Sequence, residues 1–115
     1  MTILSPINRA VLDELRTHVG ESIVAKVVEQ FALDVERRLA KMPTLPPDQI
    51  AREAHGLKGS ALEVGATAVI QAAQRLERDA VSMSAAELEN SIQTLAQLVA
   101  QARQALANDL SESSK

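Results

Sequence analysis

From Leu88 to Leu106 the apolar residues fall in alternating steps of four and three: Leu88, Ile92, Leu95, Val99, Ala102 and Leu106. That spacing is the seam of an α-helix packed in a bundle. Nowhere does the chain show the every-second-residue pattern of a half-buried strand. Helical spacing recurs upstream in Val24, Val28, Phe31, Val35, Leu39 and Met42, a stripe widened by Ile23 and Val27. It recurs again in Ile50, Ala54, Leu57 and Ala61, and in Val69, Ile70, Ala73, Leu76 and Ala80. A shorter first segment carries Ile7, Val11, Leu12, Leu15 and Val19.

The breaks between these segments are chemically marked. Ser5-Pro6 is a good N-cap and first-turn pair for the first helix, and Gly20 stops it. The second helix, over 21–42, ends at Pro43, and Pro-Thr-Leu-Pro-Pro stiffens the connection to a third that starts near Pro47. Gly65 stands just past the third helix, where a left-handed cap residue is expected. The fourth spans 66–81. Ser82-Met83-Ser84 breaks the chain, and Ser84 with Glu87 has the spacing of a capping box. Short connections between long amphipathic helices make antiparallel neighbours. The expected fold is all-α: an up-down antiparallel four-helix bundle with an additional short N-terminal helix. Residues 1–110 are expected to form a single domain and 111–115 a polar, frayed tail.

Composition narrows the function. The 115 residues contain no cysteine, so disulfide and thiol chemistry are excluded. The net charge is −3, with acids and bases interspersed, and one phenylalanine is the whole aromatic complement. Neither a basic patch nor a stacking platform for nucleic acid is present. No apolar run reaches the roughly 20 residues that span a bilayer, and the N-terminus lacks the pattern of a secretory signal. These features predict a soluble, cytoplasmic, monomeric protein without nucleic-acid or membrane partners.

The third helix carries an unusual outer face. On a wheel of about 100° per residue, His55 lies about 130° and Gly59 about 170° from the apolar stripe, so both face solvent. Lys58 lies about 70° away, one turn beyond His55, and Arg52 is one turn before it, a further candidate source of positive charge. A glycine in an exposed helical turn costs about 1 kcal/mol relative to alanine. Gly59 has no core partner to explain that cost, which leaves clearance for a bulky group or a second backbone beside His55. Gly56 adds room or is incidental. Mid-helix amides are already bonded, so an anion here needs a side-chain cation, and Lys58 is placed to supply one. Histidine near neutral pH is a nucleophile that can form a labile phosphorus–nitrogen bond. His18, in the last turn of the first helix, reads as a structural residue that suits the helix dipole.

The string Ala54-His55-Gly56-Leu57-Lys58-Gly59-Ser60-Ala61, followed by Gly65-Ala66, resembles the signature of histidine-containing phosphotransfer (HPt) domains. The helix plan agrees over about residues 5–108. The resemblance implies that His55 receives a phosphoryl group on Nε2 from a receiver-domain aspartate and passes it to another receiver. It implies that Lys58 stabilises the phosphoryl group and Gly59 leaves room for the receiver. Partners would be response-regulator receiver domains and a hybrid sensor histidine kinase. The receiver supplies the Mg²⁺, so no cofactor, metal or ATP site is expected on this chain, a phosphocarrier and not a kinase. Some family members carry a glutamine on the fourth helix that bonds the histidine ring. The corresponding position here is Glu77, which flanks its helix's buried stripe by about 70°. Glu77 either accepts the Nδ1 hydrogen of His55 and so fixes Nε2 as the reactive nitrogen, or pairs with Lys58 or water. Val11, Ile23 and Val27 are expected to form the apolar part of a docking surface.

Two other readings bear on this face. A helical adaptor of the same fold without phosphorylation would have no need of His55, Lys58 and Gly59 together. A metal-binding bundle uses Glu-x-x-His pairs aimed into the core, whereas Glu53 is two residues from His55 and His55 points outward. The starting methionine and short tail favour a free-standing protein over a module of a larger kinase.

Overall fold

In a computed structural model, described over residues 6–113, the chain is all-helical. Its helices are α1 (Arg9–Val19), α2 (Glu21–Lys41), α3 (Pro47–Val64), α4 (Thr67–Asp79) and α5 (Ala85–Ser113). Tight 3₁₀ turns over Met42–Thr44 and Ala80–Ser82 follow α2 and α4. The expected second and fourth helices therefore stop one or two residues early, and each tight turn still buries one side chain, Met42 or Ala80. Helices α2 to α5 form the antiparallel bundle. The end of α2 meets the start of α3 through Lys41 and Glu53, and the start of α2 meets the end of α5 through Glu21 and Ser113. The stripes read from the sequence make one core, in which Leu12, Val24, Phe31, Val35, Leu57, Leu76, Leu95 and Leu106 are fully buried or nearly so.

The first helix begins later than expected. Its cap is Asn8, whose side-chain oxygen accepts from the Ala10 amide at 3.1 Å. Pro6 and Ile7 precede the helix, and Ser5 lies outside the described residues. Asparagine caps as well as serine does, so local chemistry does not separate the two starts. Tertiary contacts do: the Asn8 amide donates to the Gly65 carbonyl at 2.7 Å, and Ile7 is buried in the same core as Leu12, as in a hydrophobic staple.

That contact places α1 on the turn that ends α3. Gly65 is left-handed, with φ 71° and ψ 31°, and Ala66 N–H reaches back to the Ala61 carbonyl at 3.0 Å, the Schellman arrangement. A β-carbon on Gly65 would lie 2.8 Å from both the Asn8 oxygen and the Val11 β-carbon. Glycine is therefore required here for backbone conformation and for clearance alike. Before α5 both halves of the capping box form: Glu87 N–H to Ser84 Oγ at 3.1 Å and Ser84 N–H to Glu87 Oε1 at 2.9 Å.

At its other end α5 runs three residues into the segment read as a tail. Ion pairs hold it there. Asp109, buried at 5% exposure, accepts from Arg9 at 3.1 Å and from Arg16. Arg9 also pairs with Glu112, and Arg16 with Asp13 and Glu21. A buried carboxylate without such partners would be strongly unfavourable.

Candidate functional site

The histidine of α3 projects into solvent, with 68% of its side chain exposed. Its ring does not hang free. Nδ1 lies 2.6 Å from Glu77 Oε1 on α4, and Lys58 Nζ donates to the other oxygen of the same carboxylate at 2.7 Å. The two alternatives for Glu77 are thus realised together. Its carboxyl is held below the usual glutamate range, first by the hydrogen bond from Lys58 and then by the one from His55. Near neutral pH it is an acceptor only, so the proton in the short contact belongs to Nδ1. That assignment leaves the lone pair on Nε2, and no described residue hydrogen-bonds that nitrogen. The sequence places these groups simply. His55 and Lys58 are one turn apart on α3, and Glu77 flanks the buried stripe of α4 on the side that α3 covers.

Gly59 sits one turn beyond His55 on the exposed face, and a methyl group in place of its hydrogen would meet nothing within 4 Å. The helix surface at Gly59, one turn from the ring, is therefore open. Arg52, one turn before His55, is exposed and makes no hydrogen bond or ion pair with a described residue. His18 is far simpler: its Nδ1 donates to the Glu14 carbonyl of its own helix at 2.8 Å and the ring is exposed.

Gly56 has a role that spacing left open. The guanidinium of Arg38 lies across it, in the volume a β-carbon would occupy. Arg38 crosses from α2 to α3 there, bonded to Asp34 Oδ2 at 2.9 Å and Glu53 Oε1 at 3.2 Å. Asp34 also accepts from Arg37 and from Ser60. Burial raises its pKa, but these three donors more than offset that, and the carboxyl ends below its usual range. One flank of the α3 face is thus locked to α2 by Asp34, Arg38 and Glu53, the other to α4 by Glu77.

The apolar surface around the site differs from expectation. Val11 packs against Gly65 and Val27 against the core, both half-buried. Of the three residues expected to form a docking surface, Ile23 is the exposed one, at 40%. Other large apolar residues are exposed too, Val19 and Leu33 on α1 and α2, Leu62 at 56% and Val81 at 71%. Leu62 is seven residues after His55, two turns along the same face. Val81 is four residues after Glu77. An apolar residue standing outside its helix's stripe was the available signal for both.

The sequence model of the Hpt domain family matches residues 26–111, well over half of the chain. The chain belongs to the Hpt domain family. The match starts within α2, leaving α1 outside it, and includes the whole of α3 and α4 with His55, Lys58 and Glu77. Searches of curated proteins and of solved structures gave no significant match. As an Hpt domain, the chain is a helical phosphocarrier module of the kind used in two-component phosphorelays, not a kinase module. Among the described residues no helix is long and apolar enough to cross a membrane.

Proposed function

We propose that this Hpt domain is an intermediate of a multistep phosphorelay, taking a phosphoryl group onto His55 Nε2 from a receiver-domain aspartate and giving it to the aspartate of a second receiver. One observation carries the reading: Nδ1 is tied to an ionised carboxylate while Nε2 stands unbonded in solvent. The Nε2 lone pair attacks phosphorus. The N–P bond forms as the bond from phosphorus to the aspartyl oxygen breaks, and the carboxylate leaves with the electron pair. The ring is left cationic, with its Nδ1 proton facing Glu77, whose charge disperses the positive charge. Loading the second receiver is the same path reversed. Such transfers depend on positioning and charge, since the transition state is loose.

In this reading Lys58 keeps Glu77 ionised and aimed at the ring, and Gly59 gives the receiver's active site room over Nε2. The receiver brings the Mg²⁺, so the domain holds no cofactor of its own and has no ATP-dependent activity. Leu62, two turns beyond His55 on α3, offers exposed apolar contact area beside a polar centre, the composition of a transient interface. A hybrid sensor kinase and a response regulator are the two partners, met as a monomer in the cytoplasm.

The test mixes receiver domains, phosphorylated by a small-molecule donor with Mg²⁺, with the wild-type protein and with His55→Gln. Acid-labile phosphate should appear on the wild type alone, and both proteins should have the same helical content. Binding of a receiver without any label on the wild type would instead establish a phosphorylation-independent adaptor.

A further inference from the structure

The carboxylate of Glu77 suits the His55 ring in one protonation state only. Ionised, it accepts hydrogen bonds and donates none. Lys58 first, and His55 second, hold it below the usual glutamate range, so it stays ionised through neutral and alkaline pH. Its Oε1 lies 2.6 Å from Nδ1. At that distance an Nδ1 without its proton would set a ring lone pair against a charged oxygen. A glutamine amide in the same place could turn either its oxygen or its NH₂ to the ring and so suit both states.

The difference matters once the ring is loaded. With a phosphoryl group on Nε2, the ring is cationic only while the Nδ1 proton remains. Donation breaks the P–N bond, whose electron pair returns to Nε2, as phosphorus bonds to an oxygen of the receiver's aspartate. With Nδ1 protonated the ring leaves as neutral imidazole, and the proton does not move. Without that proton it would leave as an imidazolide anion, a far poorer leaving group.

The other charged groups on this face have partners away from the ring. From α2, Arg38 lies over Gly56, held by Asp34 and Glu53. From α4, Arg78 is paired with Asp79. On α3 itself, Arg52 stands one turn before His55. Lys58 gives one of its three N–H donors to Glu77, which leaves two for phosphoryl oxygens. The turn over Ala80–Ser82, also packed on α3, has no titratable side chain, and α1 meets α3 at its far end, at Gly65. Among the described residues, Glu77 is the charged group in hydrogen-bond contact with Nδ1.

We propose that Glu77 keeps this domain able to donate its phosphoryl group at alkaline pH, its negative charge holding the Nδ1 proton on the phosphorylated ring. This role rests on His55 being the phosphoacceptor. It is distinct from orienting the ring, because orientation needs only an acceptor whereas the pH range of donation needs the charge.

Phosphoramidate loads histidine directly, so the first readout needs no receiver. Wild type, Glu77→Gln and His55→Gln, each labelled with ¹⁵N-histidine, are loaded and titrated with pH, and the Nδ1 resonance reports its proton. The wild-type ring should stay protonated to a pH about one unit higher than the ring of Glu77→Gln, the scale of one opposite charge in contact with a titrating group. The loaded proteins are then mixed with a receiver domain and Mg²⁺, and loss of phosphohistidine is followed by ³¹P NMR. At about pH 9 Glu77→Gln should donate about tenfold more slowly than the wild type, and at about pH 6 the two should donate alike. Equal titration midpoints for the two loaded rings, or equal donation at both pH values, would overturn the proposal and leave His55 as the phosphoacceptor. No His55-dependent label on the wild type would overturn the phosphoacceptor reading and the proposal with it.

Discussion

Glu77 and His55, 22 residues apart in the chain and on different helices, share a 2.6 Å contact that occupies Nδ1 and leaves Nε2 without a described partner. The same carboxylate holds Lys58 at 2.7 Å, so one side chain orients the imidazole and pairs with a cation. Glu77→Gln retains an oxygen that can accept from Nδ1 but loses the charge, whereas Glu77→Ala loses both. Phosphoryl acceptance from a receiver should fall about tenfold in the alanine variant, the scale of losing a bond that orients an imidazole, and less in the glutamine variant. Equal rates in all three proteins would remove Glu77 from the reaction.

The pH dependence of that contact has a definite sign. Lys58 first, and His55 second, hold the Glu77 carboxyl below its ordinary 4.5. A carboxyl that is more acidic in the folded state stabilises the fold at pH values above its unfolded pKa. That stabilisation is lost as pH falls through the folded value. An NMR titration of the Glu77 side-chain carbon should give a midpoint below 4.5 and a higher one in Lys58→Ala. A midpoint unaffected by removing Lys58 would show that the ion pair does not persist in solution.

Gly59 separates stability from function. A methyl group there meets nothing within 4 Å, so Gly59→Ala should stabilise the helix by about 0.5–1 kcal/mol, the intrinsic preference for alanine. Gly59→Gln, equally compatible with the helix, should slow transfer from a receiver while leaving phosphoramidate labelling of His55 unchanged. Urea denaturation and the two labelling reactions check the three parts. A glutamine variant with normal receiver kinetics would show that the open space is not used.

At Gly56, three residues earlier, the sign reverses. Alanine has the better helix propensity, yet its methyl group would enter the space of the Arg38 guanidinium and break its bonds to Asp34 and Glu53. Gly56→Ala should cost about 1 kcal/mol in the wild type and give a gain of about 0.5–1 kcal/mol when Arg38 is also alanine. Denaturation of the single and double variants measures the coupling. Additive effects would mean that Arg38 does not rest on Gly56.

Asp109 ties α5 to α1. Removing one partner of a buried charge cluster leaves the others poorly solvated, so Asp109→Ala should cost about 2–4 kcal/mol, measured by urea midpoint. Glu112→Ala, at the exposed edge of the same cluster, should cost less than about 1 kcal/mol. Similar losses from the two would contradict the burial of Asp109.

Much of this architecture is legible residue by residue. Helical spacing gives the five helices, Gly65 the left-handed end of α3, and Ser84 with Glu87 the start of α5, because each is a local preference written in a few adjacent residues. The side of α4 that Glu77 occupies is legible too, since it follows from the buried stripe of a single helix. Relations between distant segments are harder to read. Asp109 continues the inward spacing of α5, three residues after Leu106, but a charge at such a position makes sense only once Arg9 and Arg16 are known to lie opposite, 100 and 93 residues away. Gly56 reads as surplus until Arg38 is laid across it. The start of α1 turns on Gly65, a residue 57 positions after Asn8. Leu62 and Val81 stand outside the regular stripes, and a reading built on those stripes passed over them.

The contact between Arg9 and Glu112 closes the described chain into something close to a ring. The first and last helical turns meet, so an encoded link between them would span little distance, and the polypeptide can be opened elsewhere, most simply in the turn around Leu45 that joins α2 to α3. Order along the chain and order in space are separable in this bundle. What the proposed phosphoryl site needs is the side-by-side placement of α2, α3 and α4, not the order in which the chain supplies them.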